Sequence, residues 1–285
     1  MITTLLQKTA VDFFEISNMY ASTTSIPEIW RWLLVPISGA QEHHIAAQFA
    51  WHGRLMVLAW GLLSPIMIVI ARYYKVTPRQ DWPNHLDNPF WFLMHRRAGY
   101  WIAGIATCGL VAAMWNNEEL RRLNSVHSVC GWLLFALGWL QVISSRARGT
   151  HGGPVNPFTR KARPPAEWPG DHFSMTRRRI VFEHTHKALG WVLQFASLIA
   201  IITGLYKADA PRWMWISIVA WWVLVAIACG ILQAQGRCID TYQAIWGLDP
   251  ALPGNRRRPI GWGIRRYTSE TIGSAPWPRK GQANS

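Results

Sequence analysis

Four histidines stand where an ionisable side chain is costly. His52, His95, His127 and His186 each lie near the start of a long apolar stretch, and three are followed by a glycine four residues on: Gly99, Gly131 and Gly190. Histidine inside a membrane-length apolar segment marks a functional site by default. Imidazole is a strong ligand for iron, and two imidazoles on opposite faces of a porphyrin saturate the metal, which leaves electron transfer as its chemistry. A glycine one turn along the same helix face removes the side chain that would stand where a flat macrocycle must lie. The pattern therefore points to histidine-ligated haem groups held between helices. Cations near the histidines are candidate partners for haem propionates: Arg54 beside His52, Arg96 and Arg97 beside His95, and Lys187 beside His186; Arg72, with Tyr73, Lys75 and Arg96, is a candidate cationic mouth for an anionic donor, with anchoring charge as the commoner role of such a cluster.

The elements that must position these residues are membrane helices. Of the 285 residues 50% are hydrophobic, with 19 tryptophans, and the apolar residues are gathered into blocks. Each block is roughly the 20 residues that a helix needs to cross the hydrocarbon. The spans fall at about 49–71, 90–115, 125–144, 180–206 and 213–233, with a bend expected at Pro65. Residues 26–40 hold a shorter Trp-containing apolar stretch broken by Pro36, which suits an interfacial segment better than a sixth crossing. The fold class is all-α: a transmembrane bundle of five spans, six if 26–40 crosses, with a four-helix haem-binding core. The expected organisation is an N-terminal external or interfacial segment over 1–47, a membrane domain over 48–233, and a basic, partly disordered tail over 234–285.

Charge sets the orientation. The net charge is +14, and nearly all the excess lies in the 72–89 loop, the 145–179 loop and the tail. The loops 116–124 and 207–212 are close to neutral. The positive-inside rule places the basic side, and the C-terminus, in the cytoplasm of a multi-pass plasma- or inner-membrane protein. Successive spans are antiparallel, so histidines near the starts of alternate spans share a level. His52 and His127 fall near the outer face, His95 and His186 near the inner face. His184 competes with His186, and Gly190 favours His186. His43 and His44 precede the first span and are expected at the surface. His85, His151 and His172 are expected to be solvated in loops. Gln141, buried by position, is expected to hydrogen-bond between helices.

Other classes fit poorly. A basic chain invites a nucleic-acid reading, but the cations flank apolar spans and no nucleic-acid motif accompanies them. Three of the four cysteines sit inside spans, and no Cys-x-x-Cys-His is present for covalent haem attachment. The spans carry no run of acids for a cation pathway.

The run His52-Gly53-Arg54-Leu55-Met56-Val57-Leu58-Ala59-Trp60-Gly61, with Pro65-Ile66 and Ala71-Arg72-Tyr73, resembles the first ligand helix of the cytochrome b561 family, in the branch often joined to a DOMON domain. His127 to Gly131 with Gln141, His95 to Gly99 and His186 to Gly190 resemble the remaining ligand helices. The resemblance covers about 49–233. It implies two non-covalent haem b groups, one on His52 and His127 and one on His95 and His186. The basic tail is not part of that family pattern, and no DOMON-sized domain precedes the core in this sequence.

The function these residues suggest is transmembrane electron transfer, from a cytoplasmic or membrane reductant (ascorbate-like or a quinol) to an external acceptor, in the manner of a ferric or monodehydroascorbate reductase. The runner-up is a haem-binding anchor subunit that relays electrons between quinone and a separate redox protein. Expected partners are membrane lipid, a small-molecule donor and acceptor, a quinone or redox protein in the second reading, and a second copy of the chain as a homodimer. Nucleic acid is not among them.

Overall fold

The computed structural model describes residues 27–40, 44–115, 124–156, 159 and 161–277. Residues 1–26, Glu42, His43, the acids of 116–119, Arg121, Arg122 and Arg160 lie outside the described residues. The chain forms α1 (Glu28–Leu34), α2 (Ala47–Tyr73), α3 (Phe90–Met114), α4 (Val126–Ser144), α5 (Arg177–Lys207), α6 (Arg212–Ala234) and α7 (Thr241–Trp246). Five of these, α2 to α6, are long and apolar enough to cross a membrane. The protein is an all-α, multi-pass membrane protein.

α1 has 7 residues, about 10 Å of helix, far short of the roughly 30 Å hydrocarbon core. It does not cross. It lies against the start of α6, where the Arg212 guanidinium sits over the Trp32 ring and the Arg212 backbone N–H donates to Val35 O. Ser38 bonds Asp209 just beyond. Ile29, Trp30, Trp32 and Leu34 are exposed, as an interfacial helix requires.

The core is built from two antiparallel hairpins, α2 with α3 and α4 with α5, while α6 packs at the side of α2. Trp60, Ile102, Ala106, Leu134, Leu193, Ala200, Ile201 and Ile218 form its buried centre. Polar side chains bridge helices inside it: Ser64 Oγ donates to Gln194 Oε1 (2.9 Å) and Trp139 Nε1 to Thr107 Oγ1 (3.1 Å), pairings expected where lipid offers no partner.

The bend expected at Pro65 takes the form of a π-helical segment, Val57–Leu63, just before it. Pro65 has no N–H to offer the carbonyl four residues back, which is Gly61. That carbonyl accepts from the Trp221 indole of α6 at 2.9 Å. A backbone group orphaned at membrane depth costs several kcal/mol, so α6 repairs the break that proline makes in α2.

The tail, expected to be partly disordered, packs over its described residues. Val76 and Trp82 of the α2–α3 loop pack with Ile239, Ala244, Tyr267 and Trp277 in a second buried core. Gln243 and Tyr267 exchange two hydrogen bonds, Tyr267 Oη donates to Gly236 O, and Trp277 Nε1 donates to Val76 O. Arg266, expected to be solvated, pairs with Asp240 and caps the Gly254 and Asn255 carbonyls. Described residues 235–277 thus form a cap under the basic side of the bundle. A few large apolar residues, widely spaced, supply the burial that average composition conceals.

Candidate functional site

Each hairpin aims one histidine with its own backbone. His52 Nδ1 donates to Gly109 O of α3, and His127 Nδ1 donates to Ala200 O of α5, both at 2.9 Å. A bond to a carbonyl fixes the proton on Nδ1 and leaves Nε2 as a metal ligand. The two rings face each other across the seam between hairpins, centroids 6.0 Å apart and planes at 84°. At the other end of the bundle His95 and His186 meet at 5.9 Å and 70°. His186 Nδ1 has no hydrogen-bond partner. His95 Nδ1 likewise has none. His184 is exposed; His186 is the residue that meets His95.

The two layers are well separated. Gly109 follows His95 by 14 residues and Ala200 follows His186 by the same number, about 21 Å along each helix at 1.5 Å per residue. Gln141, on α4, donates from Nε2 to His186 O at 2.8 Å, the interhelical bond that its burial predicts.

The residues present fit a haem at each layer. A nitrogen ligand stands about 2.0–2.1 Å from a metal such as zinc, and the ring centre roughly 1 Å further back, so two imidazoles on one iron have centroids about 6 Å apart. Both pairs have that separation. Among the described residues there is no cluster of three or more His, Cys, Asp or Glu side chains that could hold a bare ion; two ligands suffice where a porphyrin supplies the rest. A Cβ built on Gly99 or Gly131 meets no atom within 4 Å, while one on Gly190 lies 3.5 Å from Gln141 Nε2. Two of the three glycines predicted from spacing therefore face open space.

His95 and His186 line a cavity of about 1470 Å³, together with Gly99, Gly138, Gln141 and Gly190. The His52–His127 pair stands outside it. Arg72, Arg96 and Lys187 also line the cavity. Arg96 sits over the Phe92 ring. Arg72 is engaged with the cap, donating to Trp262 O at 2.9 Å with its guanidinium over the Trp262 ring. Lys187 Nζ is held at 2.6 Å by both Glu183 Oε1 and Ile260 O. Arg54 is exposed over Trp51, away from the cavity. The structure thus gives Arg72 and Lys187 protein partners that the sequence did not reveal. Lys75, buried beside them, donates to Arg72 O and Ile239 O. Burial and the nearby Lys187 charge push its pKa down to about 8.

Three features escaped the sequence. Gly204 lets α5 approach the His127 ring, where a Cβ would lie 2.9 Å from Cε1. Gly109 lets α2 and α3 close, its Cβ position lying 3.2 Å from Leu55 Cβ. His151 and His172, expected to be solvated, face each other at 5.8 Å, and His172 is only 5% exposed. The 145–176 loop folds under the bundle because Gly149, Gly152 and Gly153 adopt positive φ, and the Trp246 ring fills the space where a Gly153 Cβ would be.

Facing imidazoles from alternate crossings, set at two levels of a four-helix bundle, are an arrangement that can hold flat metal cofactors inside a membrane protein's core. The chain is 36% identical over 100 residues to a cytochrome b561 and DOMON domain-containing protein of Arabidopsis thaliana, covering 34% of this chain and 20% of the relative. It is 32% identical over 95 residues to a second such protein of that plant, covering 33% and 22%. To a cytochrome b561, DM13 and DOMON domain-containing protein of the same plant it is 27% identical over 190 residues, covering 66% and 18%. The matches thus span about a fifth of those relatives. No family model and no solved structure matches. Over these stretches the membrane domain is similar to proteins named for a cytochrome b561 domain.

Proposed function

We propose that the protein carries electrons across the membrane through two b-type haems, one held by His52 and His127, the other by His95 and His186. The observation that carries this reading is the pair of imidazole couples, each spaced for one iron, at two levels of one bundle. When bound, each haem supplies a one-electron couple at an iron with no open coordination position. The chain's part is to hold and orient. Gly109 and Ala200 carbonyls fix the tautomer and plane of His52 and His127, Gln141 ties α4 to the His186 turn, and Gly99 and Gly131 leave the faces clear. Apolar packing around Trp60, Leu134 and Ile201 keeps water out between the layers.

The basic side is read as cytoplasmic by the positive-inside rule. There the cap and the 145–176 loop cover the bundle, which favours a small-molecule donor, ascorbate-like or a quinol, entering the cavity over a docked redox protein. The acceptor is on the opposite side. The test is optical. Purified protein gives two haems b per chain by the pyridine haemochromogen assay, and His52→Ala and His95→Ala each lose a different one. In proteoliposomes with external ferricyanide, internal ascorbate then drives reduction in wild type and in neither variant. One haem per chain, or transfer that survives both substitutions, overturns the reading.

A further inference from the structure

The cap presents a fixed row of cations on its outer surface. Its described residues, 235–277, carry six arginines against three carboxylates, Asp240, Asp249 and Glu270. Asp240 is paired with Arg266. Arg266 in turn holds the chain from behind, donating to the carbonyls of Gly254, Asn255 and Arg257. With the backbone pinned in this way, Arg256, Arg257 and Arg258 are exposed, and so is Arg265. None of these four stands in an ion pair among the described residues.

The strap that follows sets the level of the row. Ile260 is buried with Met175 and Tyr242, and Tyr267 lies in the second core, so the segment between them is fixed at both ends. Within it Trp262 O accepts from Arg72, next to last in α2, at 2.9 Å. Gly263 O accepts from Gln233, next to last in α6, at 2.7 Å. Gly261 and Gly263 have φ of 113° and 64°, which lets the strap turn against both helix ends. The Trp262 ring lies over the Arg72 guanidinium and 5.4 Å from the Trp191 ring, yet it is 59% exposed. It therefore stands where two crossings leave the hydrocarbon, the level at which tryptophan collects in membrane proteins. A cluster of arginines just past the last crossing suits the anionic headgroups of the adjoining leaflet. A free phosphate ion would meet the arginines and leave Trp262 without a partner.

We propose that the cap binds anionic phospholipid, with Arg256, Arg257, Arg258 and Arg265 on the charged headgroups and Trp262 at their boundary with the acyl chains. The orientation rule concerns the charge of loops during insertion; this site is a folded surface with its residues in place. Lipid held there also keeps the strap against Arg72 and Gln233, and with it the cap on the ends of α2 and α6. The inference uses neither haem pair.

The experiment is thermophoretic titration of the purified full-length protein in detergent with dioctanoyl phosphatidylglycerol and with dioctanoyl phosphatidylcholine. At roughly fivefold for each arginine near the headgroups, the anionic lipid binds about 100-fold more tightly than the zwitterionic one. Arg256→Gln, Arg257→Gln and Arg258→Gln together remove most of that preference. Arg177→Gln with Arg178→Gln, which takes charge from the start of α5 on the same side of the membrane, leaves it in place. Trp262→Ala weakens both lipids, and inorganic phosphate at the same concentrations displaces neither. Circular dichroism of each variant reports that the fold is kept, and Arg265→Gln alone lowers the preference by about fivefold without touching the triple run. Equal affinity for the two lipids, a preference that survives the triple substitution, equal loss on removing Arg177 and Arg178, indifference to Trp262→Ala, or displacement by phosphate overturns the proposal. Haem content and transmembrane reduction stand either way, since neither enters the binding measurement.

Discussion

Gly204→Val separates the two haem sites through a residue that touches neither iron. The added Cβ would sit 2.9 Å from His127 Cε1 and 3.2 Å from Nδ1, inside ordinary van der Waals contact, and the contact atom belongs to a ring pinned by its bond to Ala200 O. The ring swings away and loses that bond, worth about 0.5–1.5 kcal/mol, and the valine methyls also overpack the seam against α4, costing about 1–3 kcal/mol. Taken together the loss is about 2–4 kcal/mol, which at 1.36 kcal/mol per decade lowers affinity for one haem roughly 30- to 1,000-fold. The His95–His186 pair is some four helical turns away and feels none of this. The assay is haem content after gel filtration in detergent. Wild type gives two haems per chain, Gly204→Val about one, and Gly204→Val with His95→Ala almost none. Retention of both haems, or equal loss from both sites, would refute the idea that Gly204 exists to seat His127.

Gly99→Leu and Gly131→Leu test the glycines in the opposite sense: no protein atom stands in the way, so helicity by circular dichroism stays intact while each variant loses one haem. Trp221→Phe strips the donor from Gly61 O, and the orphaned carbonyl lowers stability by about 1–3 kcal/mol; adding Pro65→Ala restores a backbone N–H to the same carbonyl and recovers part of the melting temperature. Glu183→Gln leaves Arg179 and Lys187 facing each other, and removing one partner from a buried ionic cluster costs about 3–5 kcal/mol, seen as a lower thermal midpoint. His172 is buried, and burial with the Arg179 charge holds its pKa well below the ordinary 6.5. The unfolded chain therefore takes up a proton as pH falls below 6.5 while the folded one does not. Stability is full above that pH and falls by up to about 1.4 kcal/mol per unit below it; His172→Phe flattens that part of the pH–stability profile.

Much of this arrangement was legible in the residues. Blocks of apolar sequence gave the five crossings, and antiparallel order alone put His52 level with His127 and His95 level with His186. Gln141 was legible too, because a buried amide in an apolar helix needs a partner. What was not legible depends on contacts between distant segments. Gly109 and Gly204 look like any glycines of membrane helices, which are common, until the neighbouring helix is in place. The π segment before Pro65 depends on Trp221, 160 residues away in sequence. The cap misled for a physical reason: arginine-rich, Pro- and Gly-containing sequence reads as solvated chain, yet Trp82, Ile239, Tyr267 and Trp277 carry its packing. His151 and His172 were hidden by the same folding of loop against tail.

The hydrogen bonds from His52 to Gly109 and from His127 to Ala200 lie within separate hairpins, while each iron would bridge one hairpin to the other. Manufacture of the protein can therefore proceed in two stages. Each half inserts and sets its own imidazole without any prosthetic group, and capture of the porphyrins afterwards rivets the halves together. Cells starved of haem would accumulate halves held by their apolar seam and the Ser64–Gln194 and Trp139–Thr107 bonds alone, with the 145–176 connection cut faster by protease than in the haem-loaded protein.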